Sequence, residues 1–190
     1  VFWDSFDADR PDVLTRAREV GVERMVIVGT ELASSRRAFE LCAGEPGLYP
    51  TAGIHPHDAE RLEQEWEAVA ALCRDPDCVA VGESGLDYFK EYSPRAAQLT
   101  SFRRHLALAR ELDKPIIVHC RDAHEDTART IAEFPGVRGV MHCYTMGPEE
   151  LPPYLAAGFH ISFSGVVTYP RNEANRRAAA AVPDDRLLVE

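Results

Sequence analysis

Val79-Ala80-Val81-Gly82-Glu83-Ser84-Gly85-Leu86-Asp87-Tyr88 is a short apolar run that ends on a carboxylate and then breaks at a glycine. Read as a buried strand that stops on Glu83, it aims that carboxylate at a site. Two further apolar runs end on a histidine: Pro115-Ile116-Ile117-Val118-His119 and Gly139-Val140-Met141-His142. One carboxylate and two imidazoles at successive strand termini make up the oxygen and nitrogen donor set of a divalent metal site.

Outward from these strands, helix-like and strand-like patterns alternate along the chain. Val13, Leu14, Ala17 and Val20 share one helical face, with Gly21 as its stop. Residues 25–29 read as a buried strand, 33–43 as a helix and 49–53 as a weaker strand. Leu62, Trp66, Val69, Ala70 and Cys73 mark the apolar stripe of the next helix, and Glu60, Glu63, Glu65 and Glu67 read as its solvated face. Beyond Glu83, Ser93 is expected to cap a long helix with Pro94 at its first position, where a missing N–H costs nothing. Phe102, Leu106, Ala109 and Leu112 would face the core. Strands over 116–119, 137–142, 159–163 and 186–189 then alternate with helices over 122–134, 149–157 and 171–182.

This alternation implies a parallel sheet covered by helices. Ligands at the ends of several different strands favour a (β/α)8 TIM-like barrel over a doubly wound sheet, which gathers its site at one switch point. Seven strands are visible where a closed barrel has eight. The first strand and the end of the last βα unit are therefore expected to be missing from this chain. No linker, repeat or low-complexity tract divides it, so residues 1–190 read as a single domain.

Composition narrows the function classes. With 45% hydrophobic and 27% charged residues the balance is that of a globular domain. No apolar run approaches the roughly 18 residues of a membrane span, and no secretory signal opens the chain, so the expected compartment is cytoplasmic and no membrane partner is implied. The five cysteines are odd in number, scattered and without a C-x-x-C pair, which fits free thiols. A net charge of -10 argues against a broad basic face for nucleic acid. Bound divalent cations reverse the sign locally and still draw in a phosphodiester.

Several side chains could carry chemistry. Glu83, in an otherwise apolar strand end, is costly as an ion unless paired or metal-bound, and its two oxygens could bridge two metals; an inter-strand ion pair is the plainer alternative. His119 and His142 would point into the barrel mouth, with Cys120 and Cys143 on the opposite side of their strands. Gly53-Ile54-His55-Pro56-His57 sets two histidines beside a rigid proline at a strand end, placed for metal or phosphate contact. Arg121 is placed to bind an anionic substrate and Asp122 to cap the next helix. Asp87 is placed to orient a ligand or a loop. His105, His124 and His160 read as structural or exposed.

With these residues in place the sequence resembles the TatD family of metal-dependent deoxyribonucleases, within the amidohydrolase-like barrels. The likeness lies in Gly53-Ile54-His55-Pro56-His57, in Gly82-Glu83-Ser84-Gly85-Leu86-Asp87-Tyr88, in Pro115 through Ala123, in Met141-His142-Cys143-Tyr144 and in Ser162-Phe163-Ser164-Gly165. It implies Glu83 as a bridging metal ligand and catalytic group, His119 and His142 as ligands of one metal, and His55 or His57 near the substrate phosphate. Departures are the absence of an H-x-H pair in Val1-Phe2-Trp3-Asp4-Ser5-Phe6, and an end at Glu190 where the family continues into a threonine-aspartate pair. The activity implied is hydrolysis of DNA phosphodiesters with divalent ions (Mg, Mn or Zn), two per complete site. The alternatives are a related hydrolase of small esters, lactones or amides, or a catalytically dead barrel that serves as a binding protein.

Overall fold

The computed structural model of the chain describes residues 4–190. Val1, Phe2 and Trp3, which open the segment expected to enter the first helix without an H-x-H pair, lie outside the described residues.

Seven parallel strands pair in chain order: β1 (Met25–Ile27), β2 (Leu48–Ala52), β3 (Ala80–Asp87), β4 (Ile116–Arg121), β5 (Gly139–His142), β6 (His160–Phe163) and β7 (Leu187–Val189). Between them run α1 (Arg10–Glu19), which precedes β1, α2 (Leu32–Cys42), α3 (Leu62–Arg74), α4 (Arg95–Leu112), α5 (His124–Ala132), α6 (Leu151–Ala156) and α7 (Glu173–Ala181). Strand order that never reverses is the winding of a barrel, not of a doubly wound sheet. The sheet is thus a curled, TIM-like half-barrel with β1 and β7 at its edges. Val26 on one edge and Leu188 and Val189 on the other are exposed. No helix among the described residues is long and apolar enough to cross a membrane.

The core follows the strand pattern. Val81, Leu86, Ile116, Val118, Met141 and Ile161 are fully or almost fully buried against Phe102, Leu106, Tyr154 and Phe159 from the covering layer. On α4 the buried face runs Gln98, Ser101, Phe102, His105, Leu106 and Ala109, the three- and four-residue spacing of one helical stripe. A buried phenylalanine such as Phe102 is worth roughly 3–5 kcal/mol against truncation to alanine. The helix stops where Asp113 turns left-handed (φ 50°) and its N–H closes on Ala109 and Arg110 carbonyls.

Some expectations give way. Of the apolar face expected on α1 only Leu14 is buried and Val20 is exposed, because the short β1 contributes just Ile27 to a satellite core completed by Leu14, Ala38 and Leu48. Ser93 does not cap α4; its hydroxyl donates to the His57 carbonyl (2.8 Å) and accepts from the Glu60 amide. Asp122 takes a left-handed φ of 52°, and Ala123 stands at the α5 N-cap with no side-chain cap. Glu65 is not merely solvated: its carboxylate accepts from the Leu32 amide (2.9 Å) at the start of α2, where the helix dipole favours negative charge.

Candidate metal centre

β3 does not stop on Glu83. It runs on to Asp87, with a register shift against β4 between Val81 and Ser84, after which Ser84 pairs with Val118 and Gly85 with His119. Glu83 sits inside that irregularity. The Glu83 amide bonds the Gly29 carbonyl (2.9 Å), and the Thr51 hydroxyl donates to the Gly82 carbonyl (2.6 Å), so the backbone that aims the carboxylate is held on both sides. The strand continues past Glu83 because a glycine stands where the backbone leaves the ordinary strand conformation. Gly85 has φ 145°, and a Cβ there would collide with the His119 carbonyl oxygen.

The side chains converge on the Glu83 carboxylate, which is 6% exposed. His119 Nδ1 lies 3.1 Å from Oε1 and His55 Nε2 lies 3.8 Å from the same oxygen. His142 Nε2 stands 3.9 Å from the other oxygen, Oε2. Ligand atoms of His55, Glu83 and His119 all lie within 4.8 Å of one another. Burial would raise the Glu83 carboxyl, but the hydrogen bond from His119 and the neighbouring His142 and His55 outweigh it and hold the group below the usual glutamate range.

Two carboxylates orient these rings. Asp87, fully buried, takes His57 Nε2 (2.8 Å) and His119 Nε2 (3.1 Å) on Oδ2, while Oδ1 accepts the amides of Phe89 and Lys90. Burial works against its charge, yet the Lys90 amide and the two histidines bring the carboxyl down to about 2. Glu190 Oε2 lies 2.5 Å from His142 Nδ1 and also accepts from the Ser162 hydroxyl, which turns His142 Nε2 toward Glu83. Burial would lower His142, but the bond to Glu190 and the charge of Glu83 raise it. Carboxylate-histidine pairs of this kind fix ring orientation and tautomer at metal sites.

The donor set suits a borderline divalent ion: carboxylate oxygen and imidazole nitrogen, with no thiolate among the converging groups. His55 fits less well as a ligand. Its Nδ1 accepts the His57 amide (3.2 Å), so the ring hydrogen lies on Nε2. Burial brings its pKa down to about 4, so near neutral pH it is an uncharged N–H donor facing the carboxylate.

Of the residues singled out in the sequence, Glu83, His119, His142, His55, His57 and Asp87 gather here, and Arg121 does not. It lies at the outer lip with its guanidinium 3.9 Å over the Phe89 ring. Cys120 is buried on the helix side near Tyr154, whereas Cys143 leaves β5 with φ 46° and its sulfur meets the Ser164 hydroxyl at 3.0 Å, so strand alternation does not carry through to it.

Sequence reasoning missed Glu190, Gln98 and the part played by His105. Gln98, fully buried, accepts the Asp87 amide and donates to the Asp87 and Ser93 carbonyls, fastening both ends of the β3–α4 loop. His105, structural as expected, accepts the Ile54 amide on Nε2 (3.0 Å) and donates from Nδ1 to Ser101, which pins the loop carrying His55. A polar residue on the buried face of α4 was the available signal.

His105 should leave a mark on stability. Burial holds it neutral in the fold, with a pKa of about 4, against about 6.5 in an unfolded chain. Its contribution is full above about pH 6.5 and is lost as pH falls toward 4, because the unfolded chain takes up the proton first; over that range it amounts to about 3 kcal/mol. Melting temperature measured against pH should fall across this window. His105→Gln should flatten the fall while lowering stability near neutral pH.

Comparison with known proteins settles the family. A family model described as TatD related DNase matches residues 2–190. The chain belongs to the TatD-related DNase family. Among its TatD relatives, the 3'-5' ssDNA/RNA exonuclease TatD of Edwardsiella piscicida is 40% identical over 195 residues, covering 97% of this chain and 73% of that protein. The uncharacterized metal-dependent hydrolase YabD of Bacillus subtilis is 36% identical, covering 98% and 74%. The crystal structure of YJJV, a TatD homolog from Escherichia coli, superposes with a TM-score of 0.86 at 28% identity and covers 99% of this chain and 74% of that one.

Proposed function

We propose that this TatD-related chain, as a single domain over residues 1–190, hydrolyses phosphodiester bonds in DNA with two divalent ions, Mg, Mn or Zn, held around Glu83 and working in the cytoplasm. The supporting observation is the carboxylate itself. It is buried, its two oxygens face different imidazoles, and those imidazoles come from strands β4 and β5 and from the His55 loop. The relatives named as exonuclease and metal-dependent hydrolase support the same reaction class.

Glu83 would hold the ions through its carboxylate, with His119 and His142 as nitrogen ligands of one of them. When bound, such ions polarise the phosphoryl group and lower the pKa of water. Asp87 keeps His119 and His57 in place, Glu190 keeps His142 in place, and neutral His55 offers its Nε2 hydrogen to a phosphate oxygen. Arg121 adds a cation for the strand outside the centre.

A single-stranded oligodeoxynucleotide incubated in Mg2+ or Mn2+ should be cut, chelator should reduce the rate to background, and added metal should restore it. Full cleavage in chelator would contradict the reading. Turnover of lactones or amides with none of DNA would favour a small-substrate hydrolase on the same barrel, and metal binding without hydrolysis of any of these would favour a binding protein.

A further inference from the structure

The loop from Asp87 to Ser93 carries two large rings that pack into no hydrophobic core. Phe89 is 55% exposed and Tyr92 64% exposed, although the loop is tied at both ends by Gln98 and at its start by the Asp87 carboxylate. Two cations lie against them. The Arg121 guanidinium sits 3.9 Å over Phe89, and Lys90 Nζ lies 5.6 Å from the Phe89 ring and 5.8 Å from the Tyr92 ring. In a chain with 31 acidic and 21 basic residues, these two form no ion pair among the described residues. The patch also joins the metal centre without a gap: Tyr92 packs edge-on against His57 (4.7 Å between centroids), His57 against His55 (4.4 Å) and His55 against His119 (4.4 Å).

We propose that Phe89 and Tyr92, with Lys90 and Arg121, form a platform that stacks an unpaired base and holds the adjoining phosphate of a nucleic acid strand running into the metal centre. Exposed aromatic rings interleaved with cations are what sequence-tolerant binding of single strands requires, because every base offers a π-face and every linkage a charge. A base inside a duplex has both faces covered, so the platform selects unpaired ends. The groove lined by Tyr88, about 580 Å³, is the alternative path, but there Asp122, Glu125, Asp126 and Glu150 outnumber Arg95 and would repel a phosphate backbone. The inference rests on the nuclease reading above and adds to it the residues that take the base.

The test uses two fluorescein-labelled, phosphorothioate-linked hexamers, one of thymidine and one of base-free tetrahydrofuran units, titrated into the protein with Mg2+ present and followed by anisotropy. The wild-type protein should bind the thymidine strand about tenfold or more tightly than the base-free strand. In Phe89→Leu and Tyr92→Leu that ratio should fall toward one, with melting temperatures unchanged because neither ring packs into the core. A wild-type ratio near one would overturn the platform, as would a ratio that both variants keep. Failure of the nuclease reading would look different: no metal-dependent cleavage of an ordinary phosphodiester strand by the wild-type protein, whatever the ratio.

Discussion

Glu83→Gln is expected to lower metal-dependent phosphodiester cleavage by about 10³-fold or more while the protein stays folded. The substitution keeps the shape of the side chain and removes its charge. Glutamine has one oxygen to offer where the carboxylate offers two, and its NH2 group must face either His119 and His55 on one side or His142 on the other. A divalent ion held there supplies several kcal/mol of charge stabilisation in the transition state, and each 1.36 kcal/mol lost is a factor of about ten in rate. Steady-state cleavage of a labelled single strand measures the rate, and titration with Mn2+ measures the loss of binding in the same variant. A folded Glu83→Gln protein that cuts within about tenfold of the wild-type rate would remove Glu83 from the chemistry.

Gly85→Ala carries the largest expected effect on stability. Gly85 holds φ 145°, a conformation open to glycine and strained for other residues, which costs about 1–3 kcal/mol. The added methyl would also run into the carbonyl of His119, the residue with which Gly85 pairs in β4. Relieving the collision means parting β3 from β4 at the centre of the sheet, about 1–3 kcal/mol more. For a chain of this length the sum lowers the melting temperature by about 10 °C. Because His119 would move with its strand, metal affinity should fall as well. Thermal unfolding followed by circular dichroism checks the first effect, and an unchanged melting temperature would show that the two strands yield more easily than their geometry indicates.

The barrel winding was legible because each strand is a short apolar run and each connection carries a helical stripe, which calls for a parallel sheet, and because ligands at the ends of several strands favour the order β1 to β7 over a doubly wound one. The convergence of histidines on Glu83 was legible for a related reason, since parallel strands of one barrel bring their carboxyl ends to one mouth. What the sequence hid has local causes. Gly82 and Gly85 look like breakers, yet in β3 they permit the close approach of β4, so the strand reaches Asp87 instead of ending on Glu83. Ser93-Pro94 has the pattern of a helix start, but the serine hydroxyl is drawn to the His57 carbonyl across the loop. Glu190 finds His142 only through the pairing of β6 with β7, a long-range contact that no local spacing announces.

Anomalous scattering from crystals soaked in Mn2+ tests the metal centre most directly. The expected result is a peak within about 2–2.5 Å of a Glu83 carboxylate oxygen, with a nitrogen of His119 or His142 as a further ligand. Manganese bound elsewhere on a protein that still cleaves DNA, with nothing beside Glu83, would contradict it.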